Sequence, residues 1–283
     1  MGQLSLLEMD RLELPGVSDE DHISRLADRT IRELGLQPPI DHQVVASYQG
    51  IREIKLADSD GWAGCMVQEQ HGLVVYLRAA DGRRRQRYTT FHEIGHTYLP
   101  GFVVRTQFRC APSFVREKTK EERLSNTAAG ELLFPRRFLR ADLRHASFGL
   151  DTVEELAEKY DASLEATAHG YVRLWPEDCL LVVLELMLKP ADGGGAEPRL
   201  RVAYSSHHGS WPYVPRYKSA NDGSQLAAAL DGEIVETRGD SLHGLVPDFK
   251  APVELSARLM PYRDDQGRQR RRVLALYRRL PST

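Results

Sequence analysis

The segment that decides the fold is RRRQRYTTFHEIGH, residues 83–96, which carries two histidines and a glutamate at helical spacing. Residues four apart lie on the same face of a helix, so His92 and His96 can each direct a ring nitrogen to one metal ion. Glu93 can then act as a general base toward a water molecule at that ion. The spacing predicts a helix from about Arg85 to Tyr98 that carries two ligands of a catalytic metal.

A catalytic zinc ion needs a third protein ligand, which the later segment KTKEERLSNTAAGELLFP can supply. The pattern predicts a helix from about Glu117 to Leu133. Within it Glu122 and Asn126 stand four apart, so the carboxylate can bind the metal while the amide hydrogen bonds to a ligating histidine. The competing carboxylates are Glu121 and Glu131. An ordinary solvated helix is the alternative for both segments, and the histidine pair favours the metal site with Glu122.

The two segments together resemble the ImmA/IrrE-type zinc metallopeptidases, whose pattern runs RRRFTLAHELGH and then ExxANxFAxxLLMP. The resemblance covers roughly residues 20–140 and is to the longer, IrrE-like branch. It implies metal ligands at His92, His96 and Glu122, the general base at Glu93, and a gluzincin-like fold. Zn²⁺ is the expected metal, although two histidines and a carboxylate also accept Mn²⁺ or Fe²⁺.

Three residues of the second segment depart from the family pattern. Ser125, Ala128 and Gly130 stand where the family usually has Ala, Phe and Ala. We interpret these as packing positions, so the departures leave the predicted catalytic residues intact.

The order of the expected elements predicts an α+β chain of three parts. Residues 1–148 form the metallopeptidase domain, residues 149–176 a helix-turn-helix-like segment, and residues 177–283 an α+β domain. The resemblance implies that the last domain is GAF-like and senses a signal, with a small molecule as a possible ligand.

Apolar periodicity predicts the secondary structure of the outer parts. A helix is expected at 19–35 behind Ser18, and a small antiparallel sheet from strands at 51–57, 64–68 and 73–78. Gly64–Gln68 is the candidate exposed edge that adds a substrate strand, with an ordinary core strand as the alternative. The last part is expected to hold a helix at 224–230 and strands at 179–188, 200–206, 232–237, 253–260 and 271–277, with a hairpin loop at 192–198.

Other features of the middle and last parts are assigned structural roles. The segment 152–175 is acidic, which disfavours contact with a phosphate backbone, so we expect a scaffold or a surface that docks a partner protein. Its first helix is expected to begin with a capping box of Thr152 and Glu155. The arginine run 268–272 is expected to be a solvated hairpin arm. His207, His208 and Trp211 are expected in a surface loop, with a ligand pocket as the alternative. Tyr98 is expected to pack in the core, with stabilisation of the oxyanion as the alternative. Cys110 is expected to be a free thiol, with an inhibitory or redox-sensitive group as the alternative.

Net charge, cysteine spacing and apolar runs indicate the expected cell compartment and class of partners. The net charge is −2, which argues against a surface built to hold nucleic acid. Three cysteines far apart suggest no disulfide framework, no stretch is apolar enough to span a bilayer, and the acidic N-terminal residues do not resemble a signal peptide. We therefore expect a cytoplasmic protein without a membrane partner.

The resemblance implies an endopeptidase that cleaves a helix-turn-helix transcriptional repressor and so relieves repression in a stress response. The alternative is a non-proteolytic sensor or adaptor that binds a regulator or small ligand through its C-terminal domain. An adaptor needs no general base, so the presence of Glu93 favours the peptidase.

Overall fold

A computed structural model describes residues 4–59, 61–102, 107–109, 119–193, 195–263 and 268–281. The chain divides into two units, one of Met1–Phe138 with Ala157–Ser163 and one of Leu139–Leu156 with Leu164–Thr283. The α+β class agrees with the sequence prediction. The three-part division with boundaries at 148 and 176 stays a prediction.

The first unit begins with three helices, of which the sequence predicted one. α2 follows Ser18, whose hydroxyl accepts the Asp21 N–H at 3.1 Å, as expected of an N-cap. The two missed helices are short, but each has a capping signal, from Ser5 with Glu8 and from Asp41. The bounds are α1 Leu6–Glu13, α2 Asp19–Glu33 and α3 His42–Tyr48.

The sheet of the first unit has four strands in the order β1-β3-β2-β4. The strands are β1 Ile51–Ala57, β2 Gly64–Glu69, β3 Gly72–Arg78 and β4 Gln107–Arg109. β2 runs antiparallel to β3 and β4, whereas β1 runs parallel to β3. The expectation of a purely antiparallel sheet was therefore wrong. β3 lies between β1 and β2 in the sheet. It forms an antiparallel hairpin with β2, whereas β1 runs in the same direction as β3 and pairs with it in parallel.

β2 is an interior strand, so the interpretation of Gly64–Gln68 as an exposed edge was wrong. β4 pairs with it through Cys65, Met66 and Val67. After the helix that follows β3, the chain returns to the sheet as β4. This strand pairs with the N–H and C=O groups of β2 that a substrate strand would otherwise bind. Within the described residues, the outer strands of this sheet are β1 and β4.

The two helices that carry the predicted ligands are α4 Arg83–His96 and α5 Lys120–Leu133. α4 begins and ends two residues earlier than expected. α5 begins after Thr119, whose hydroxyl accepts the Glu122 N–H at 3.3 Å, and the predicted start at Glu117 lies outside the described residues. Three helices follow: α6 Arg136–Leu143, α7 Leu150–Lys159 and α8 Leu164–Leu174.

The predicted capping box of α7 is wrong. The helix begins at Leu150, two residues before Thr152, whose hydroxyl donates instead to the Ser147 carbonyl at 2.7 Å. The Leu150 N–H donates to the Ser256 hydroxyl at 2.9 Å, so a residue distant in sequence satisfies the start of this helix in place of the local motif.

The second unit contains a five-stranded antiparallel sheet in the order β6-β5-β9-β8-β7. All five strands and the helix were predicted, with ends shifted by up to three residues. They are β5 Cys179–Met187, β6 Arg199–His208, α9 Gln225–Leu230, β7 Val235–Gly239, β8 Val253–Arg263 and β9 Gln269–Arg279. Alternate residues such as Leu180 and Val182 on β5 and Val273 on β9 join Leu226 of α9 in one buried core. The loop 192–198 connects β5 and β6, as expected of a hairpin.

The arginine run is only partly solvated. Arg270 and Arg271 are exposed, but Arg272 is buried and pairs with Glu165 and Glu185. Alternation along a strand turns this guanidinium inward, where two carboxylates compensate its charge.

The histidine and tryptophan residues near the end of β6 do not share one environment. His207 and His208 are exposed, but they lie at the end of β6 and pair with Leu180 and Cys179, so the expected surface loop was wrong for these two residues. Half-buried Trp211 follows the strand and stacks on Phe249 at 5.9 Å between ring centroids. Among the described residues, no helix combines the length and apolar character that crossing a bilayer requires.

Candidate metal centre

α4 and α5 bring three predicted metal ligands together. His92 Nε2 lies 3.3 Å from Glu122 Oε2, and His96 Nε2 lies 3.7 Å from Glu122 Oε1. One donor atom from each of the three residues falls within 4.8 Å of the other two. The i, i+4 spacing on α4 and the first turn of α5 therefore converge on a single point.

The spacing of these donors fits a small divalent ion. Metal–ligand bonds of about 2.0–2.2 Å in a tetrahedral site separate the donors by roughly 3.3–3.6 Å, close to the two measured distances. Both histidines are buried, and His92 Nε2 has no hydrogen-bond partner among the described residues. A buried ring nitrogen of this kind needs a ligand, and a metal ion would supply it.

Asn126 sets the orientation of His92. Its amide Nδ2 donates to the Glu122 carbonyl at 2.7 Å, so its Oδ1 is the atom that faces the imidazole. Oδ1 accepts from His92 Nδ1 at 3.2 Å and from the Tyr88 hydroxyl at 3.0 Å. The proton of a neutral imidazole is thereby assigned to Nδ1, and the lone pair of Nε2 points to the metal position.

Ser125 does the same for His96. Its hydroxyl lies 3.1 Å from His96 Nδ1, and both side chains are buried. An Nδ1–H donated to Ser125 leaves Nε2 as a lone-pair donor. The interpretation of Ser125 as a packing position alone therefore missed a polar contact to a predicted ligand.

Gly95 allows the two helices to approach closely enough for these contacts. A Cβ atom at this position would lie 2.8 Å from the Ser125 carbonyl oxygen and 2.9 Å from Ala128 Cβ. Both distances are shorter than van der Waals contact, so any side chain here would push α5 away from α4. The glycine of HEIGH thus serves helix packing directly beneath the candidate ligands.

Glu93 is fully buried beside the ligands and is bordered by β2. A Cβ atom added to Gly64 would lie 3.2 Å from Glu93 Oε1 and 2.4 Å from Thr89 Cγ2. Glu122, by contrast, keeps 29% of its side-chain surface exposed. The carboxylate of Glu93 therefore lies in a dry position, and the site opens to solvent on the Glu122 side.

The competing residues lie in other environments. Glu131 is buried, accepts from Ser24 at 3.2 Å and pairs with Arg136 at 2.7 Å, so it braces the end of α5. Tyr98 is buried and shares a 3.2 Å hydrogen bond with Thr30, and burial raises the pKa of its phenol. Glu121 is not among the three converging residues, and Cys110 lies outside the described residues.

Tyr88 belongs to this network, although it was not predicted as a site residue. Tyr88 precedes His92 by four residues, so helical spacing places both on one face of α4. That signal was available from the sequence, but the Tyr88 contact to Asn126 required the position of α5.

Two comparisons relate the chain to known proteins, and a third finds no match. Residues 47–171 match the family model described as the IrrE N-terminal-like domain. A solved structure named as a Mycobacterium tuberculosis transcriptional regulator is similar at a TM-score of 0.61 and 11% identity, over 98% of this chain and 82% of that chain. At that identity the likeness concerns the fold alone. No curated protein matches the chain.

Proposed function

Through residues 47–171 this chain belongs to the ImmA/IrrE family, and from this we propose that it is a zinc-dependent endopeptidase of the gluzincin type. The ligands in this proposal are His92, His96 and Glu122. The observation that carries it is their convergence within 4.8 Å while both histidines contact hydrogen-bond partners through Nδ1. A structural metal alone would not need the buried Glu93 beside it.

The proposed chemistry assigns one task to each side chain. A divalent metal bound here supplies Lewis-acid activation of water and of the scissile carbonyl. Glu93 takes the proton from the attacking water and passes it to the leaving amine. Asn126 and Ser125 hold the two imidazoles with Nε2 toward the metal position. Mn²⁺ or Fe²⁺ would suit the same donor set, and metal analysis of the purified protein distinguishes them.

We propose a helix-turn-helix transcriptional repressor as the substrate, cleaved in the cytoplasm to relieve repression under stress. The family resemblance supports this substrate class. A GAF-like sensor at residues 177–283 that binds a small-molecule signal would make the cleavage conditional. The five-stranded antiparallel sheet is compatible with such a domain.

We assign a scaffold role to the helix-turn-helix-like segment at 149–176. Its carboxylates bind arginines of the same unit: Asp151 and Glu154 pair with Arg258 at 2.5 and 2.6 Å, and Glu165 pairs with Arg272 at 2.8 Å. Acidic side chains engaged in this way offer no attraction to a phosphate backbone. This supports a structural function for the helices over nucleic-acid binding.

A non-proteolytic regulator is the second candidate function. The solved structure that shares the fold over 98% of this chain bears the name of a transcriptional regulator. A regulator of this kind would keep the architecture and act by binding through the second unit.

Cleavage of a purified helix-turn-helix transcriptional repressor, measured together with bound metal, separates the two functions. We expect the wild type to cut, Glu93→Gln to retain metal without cutting, and His92→Ala to lose metal. Loss of the general base should lower the cleavage rate by about 10²–10⁴-fold. A wild type that binds no divalent metal and cuts nothing would contradict the peptidase and favour the regulator.

A further inference from the structure

A cavity of about 730 Å³ lies in the second unit, and all of its lining residues belong to that unit. We infer that this cavity binds a small organic polyphosphate. Its lining is strongly cationic, with only Asp222 as an acidic side chain. The cationic residues are Lys189, Arg199, Arg201, Lys218 and Lys250.

The distribution of lysine in the chain points to this cavity. Only seven of the 38 Lys and Arg residues are lysines, and the second unit contains three of them, Lys189, Lys218 and Lys250. All three line the cavity, although they come from well-separated parts of the sequence. Lysine presents a compact, mobile charge that suits phosphate oxygens, whereas elsewhere the unit uses arginine. The second unit thus places all of its lysines around one cavity.

Both arginines of the lining already have carboxylate partners. Arg201 is buried and donates to the carbonyls of Met187 at 3.2 Å and Tyr217 at 3.1 Å, while Asp192 accepts from it at 3.2 Å. Arg199 pairs with Asp222 at 2.7 Å. These contacts already compensate most of the arginine charge.

The charge available to a ligand therefore comes mainly from the lysines. Lys218 and Lys250 form no ion pair with the part of the chain that the structure describes, and Lys189 lies 3.8 Å from Asp192. Like charges around one concavity repel one another, and a multiply charged anion relieves that repulsion.

The backbone around the cavity is held in an uncommon conformation. Tyr217, which lines the cavity, has φ 65°, and His243, next to the lining residue Gly244, has φ 54°. Residues other than glycine rarely adopt these angles, and they persist where surrounding contacts impose them. The two loops are joined because the Asn221 N–H donates to the His243 carbonyl at 3.0 Å. This hydrogen bond holds together the two loops that carry the lining residues Asn221 and Gly244.

The size and the remaining lining residues identify the ligand class. Sites for small molecules occupy about 300–1,000 Å³, and this cavity falls within that range. Val246, Ala220 and Tyr217 add apolar and aromatic surface to the cations, which suits an organic group that carries the phosphates. A nucleic acid would need cations spread along an open face, whereas here they surround one concavity.

Isothermal titration calorimetry of the full-length protein tests this inference with ATP, inorganic pyrophosphate and adenosine as probes. We expect ATP and pyrophosphate to bind, adenosine not to bind, and affinity to fall with salt. Lys218→Gln combined with Lys250→Gln should weaken ATP binding about tenfold or more, because two charge-assisted contacts are lost. Tighter binding of ATP than of pyrophosphate would assign part of the affinity to the organic group.

Matched controls separate the cavity from general charge and from the metal centre. Arg140→Gln with Arg144→Gln removes two exposed charges of the same unit outside the lining and should leave ATP affinity within about twofold. Both polyphosphates can also contact a metal ion, so the titration is repeated with metal-free His92→Ala, which should bind ATP like the wild type. Equal binding by the wild type and the lysine variant, or no binding of ATP at millimolar concentration, would overturn the inference. Neither result bears on the peptidase, because no turnover is measured.

Discussion

Replacement of Ser125 by alanine should weaken metal binding while leaving the fold intact. The substitution deletes the hydroxyl that lies 3.1 Å from His96 Nδ1. It keeps the Cβ atom, so the packing of this fully buried position in the middle of α5 changes little. Alanine is also the usual residue at this position in the family pattern, so we expect the helix to form normally. His96 would then be free to rotate or to carry its proton on Nε2, which opposes metal binding.

The size of the effect follows from one buried hydrogen bond. Such a bond contributes about 0.5–1.5 kcal/mol, which corresponds to roughly a 2–13-fold change in the dissociation constant. Loss of a contact that orients a ligand lowers metal affinity by about 10–100-fold in other proteins. We therefore expect Ser125→Ala to weaken zinc binding about tenfold. Helix propensity changes in the opposite direction by about 0.5 kcal/mol, so the melting temperature of the metal-free protein should change little.

Competition with a chromophoric zinc chelator at fixed pH measures this change. Thr127→Ala is the matched control, since it removes a hydroxyl from the exposed side of the same helix, where Thr127 donates to the Arg123 carbonyl at 3.1 Å. The control should bind zinc as the wild type does. Equal affinity of Ser125→Ala and wild type, or an equal loss in both variants, would refute the orienting role.

Three further predictions use other contacts. Gly95→Ala places a Cβ 2.8 Å from a backbone oxygen of α5. The overpacking costs about 1–3 kcal/mol and should outweigh the gain of about 1 kcal/mol in helix propensity. We therefore expect both the melting temperature and the zinc affinity to fall. Gly64→Ala presses on Thr89 and Glu93 and should reduce the cleavage rate with zinc content unchanged; simultaneous loss of zinc would contradict this. Burial, followed by the Arg87 charge, lowers the pKa of His42, so the folded state binds its proton more weakly than the unfolded chain. Stability should therefore fall as pH drops through about 6.5, and in metal-free protein His42→Gln should show a smaller loss of melting temperature between pH 7.5 and 5.5 than the wild type.

Local patterns in the sequence were sufficient for much of the secondary structure. The five strands and the helix of the second unit follow from short apolar runs separated by turn residues. The helices that hold His92, His96 and Glu122 follow from the four-residue spacing of their polar side chains. The helices α1 and α3 were missed because eight and seven residues give too little periodicity, although their caps were visible.

Long-range pairing decided the features that the sequence predicted wrongly. The parallel pairing of β1 with β3 and the cover of β2 by β4 depend on how strands distant in sequence assemble. Arg272 belongs to an arginine run that reads as solvated, yet strand alternation turns it toward Glu165 and Glu185. A linear pattern shows the charge of a residue but not the partner that compensates it.

The sequence by itself determined the candidate chemistry, because the donors of HEIGH lie one helical turn apart and their relation needs no tertiary contact. Only the tertiary structure decided which carboxylate joins them: Glu122 converges on the histidines, whereas Glu131 is engaged by Ser24 and Arg136. It also decided the contact of Ser125 with His96 and the assembly of three dispersed lysines around one cavity. These relations join residues from separate elements, and their distances are set by helix packing and sheet topology.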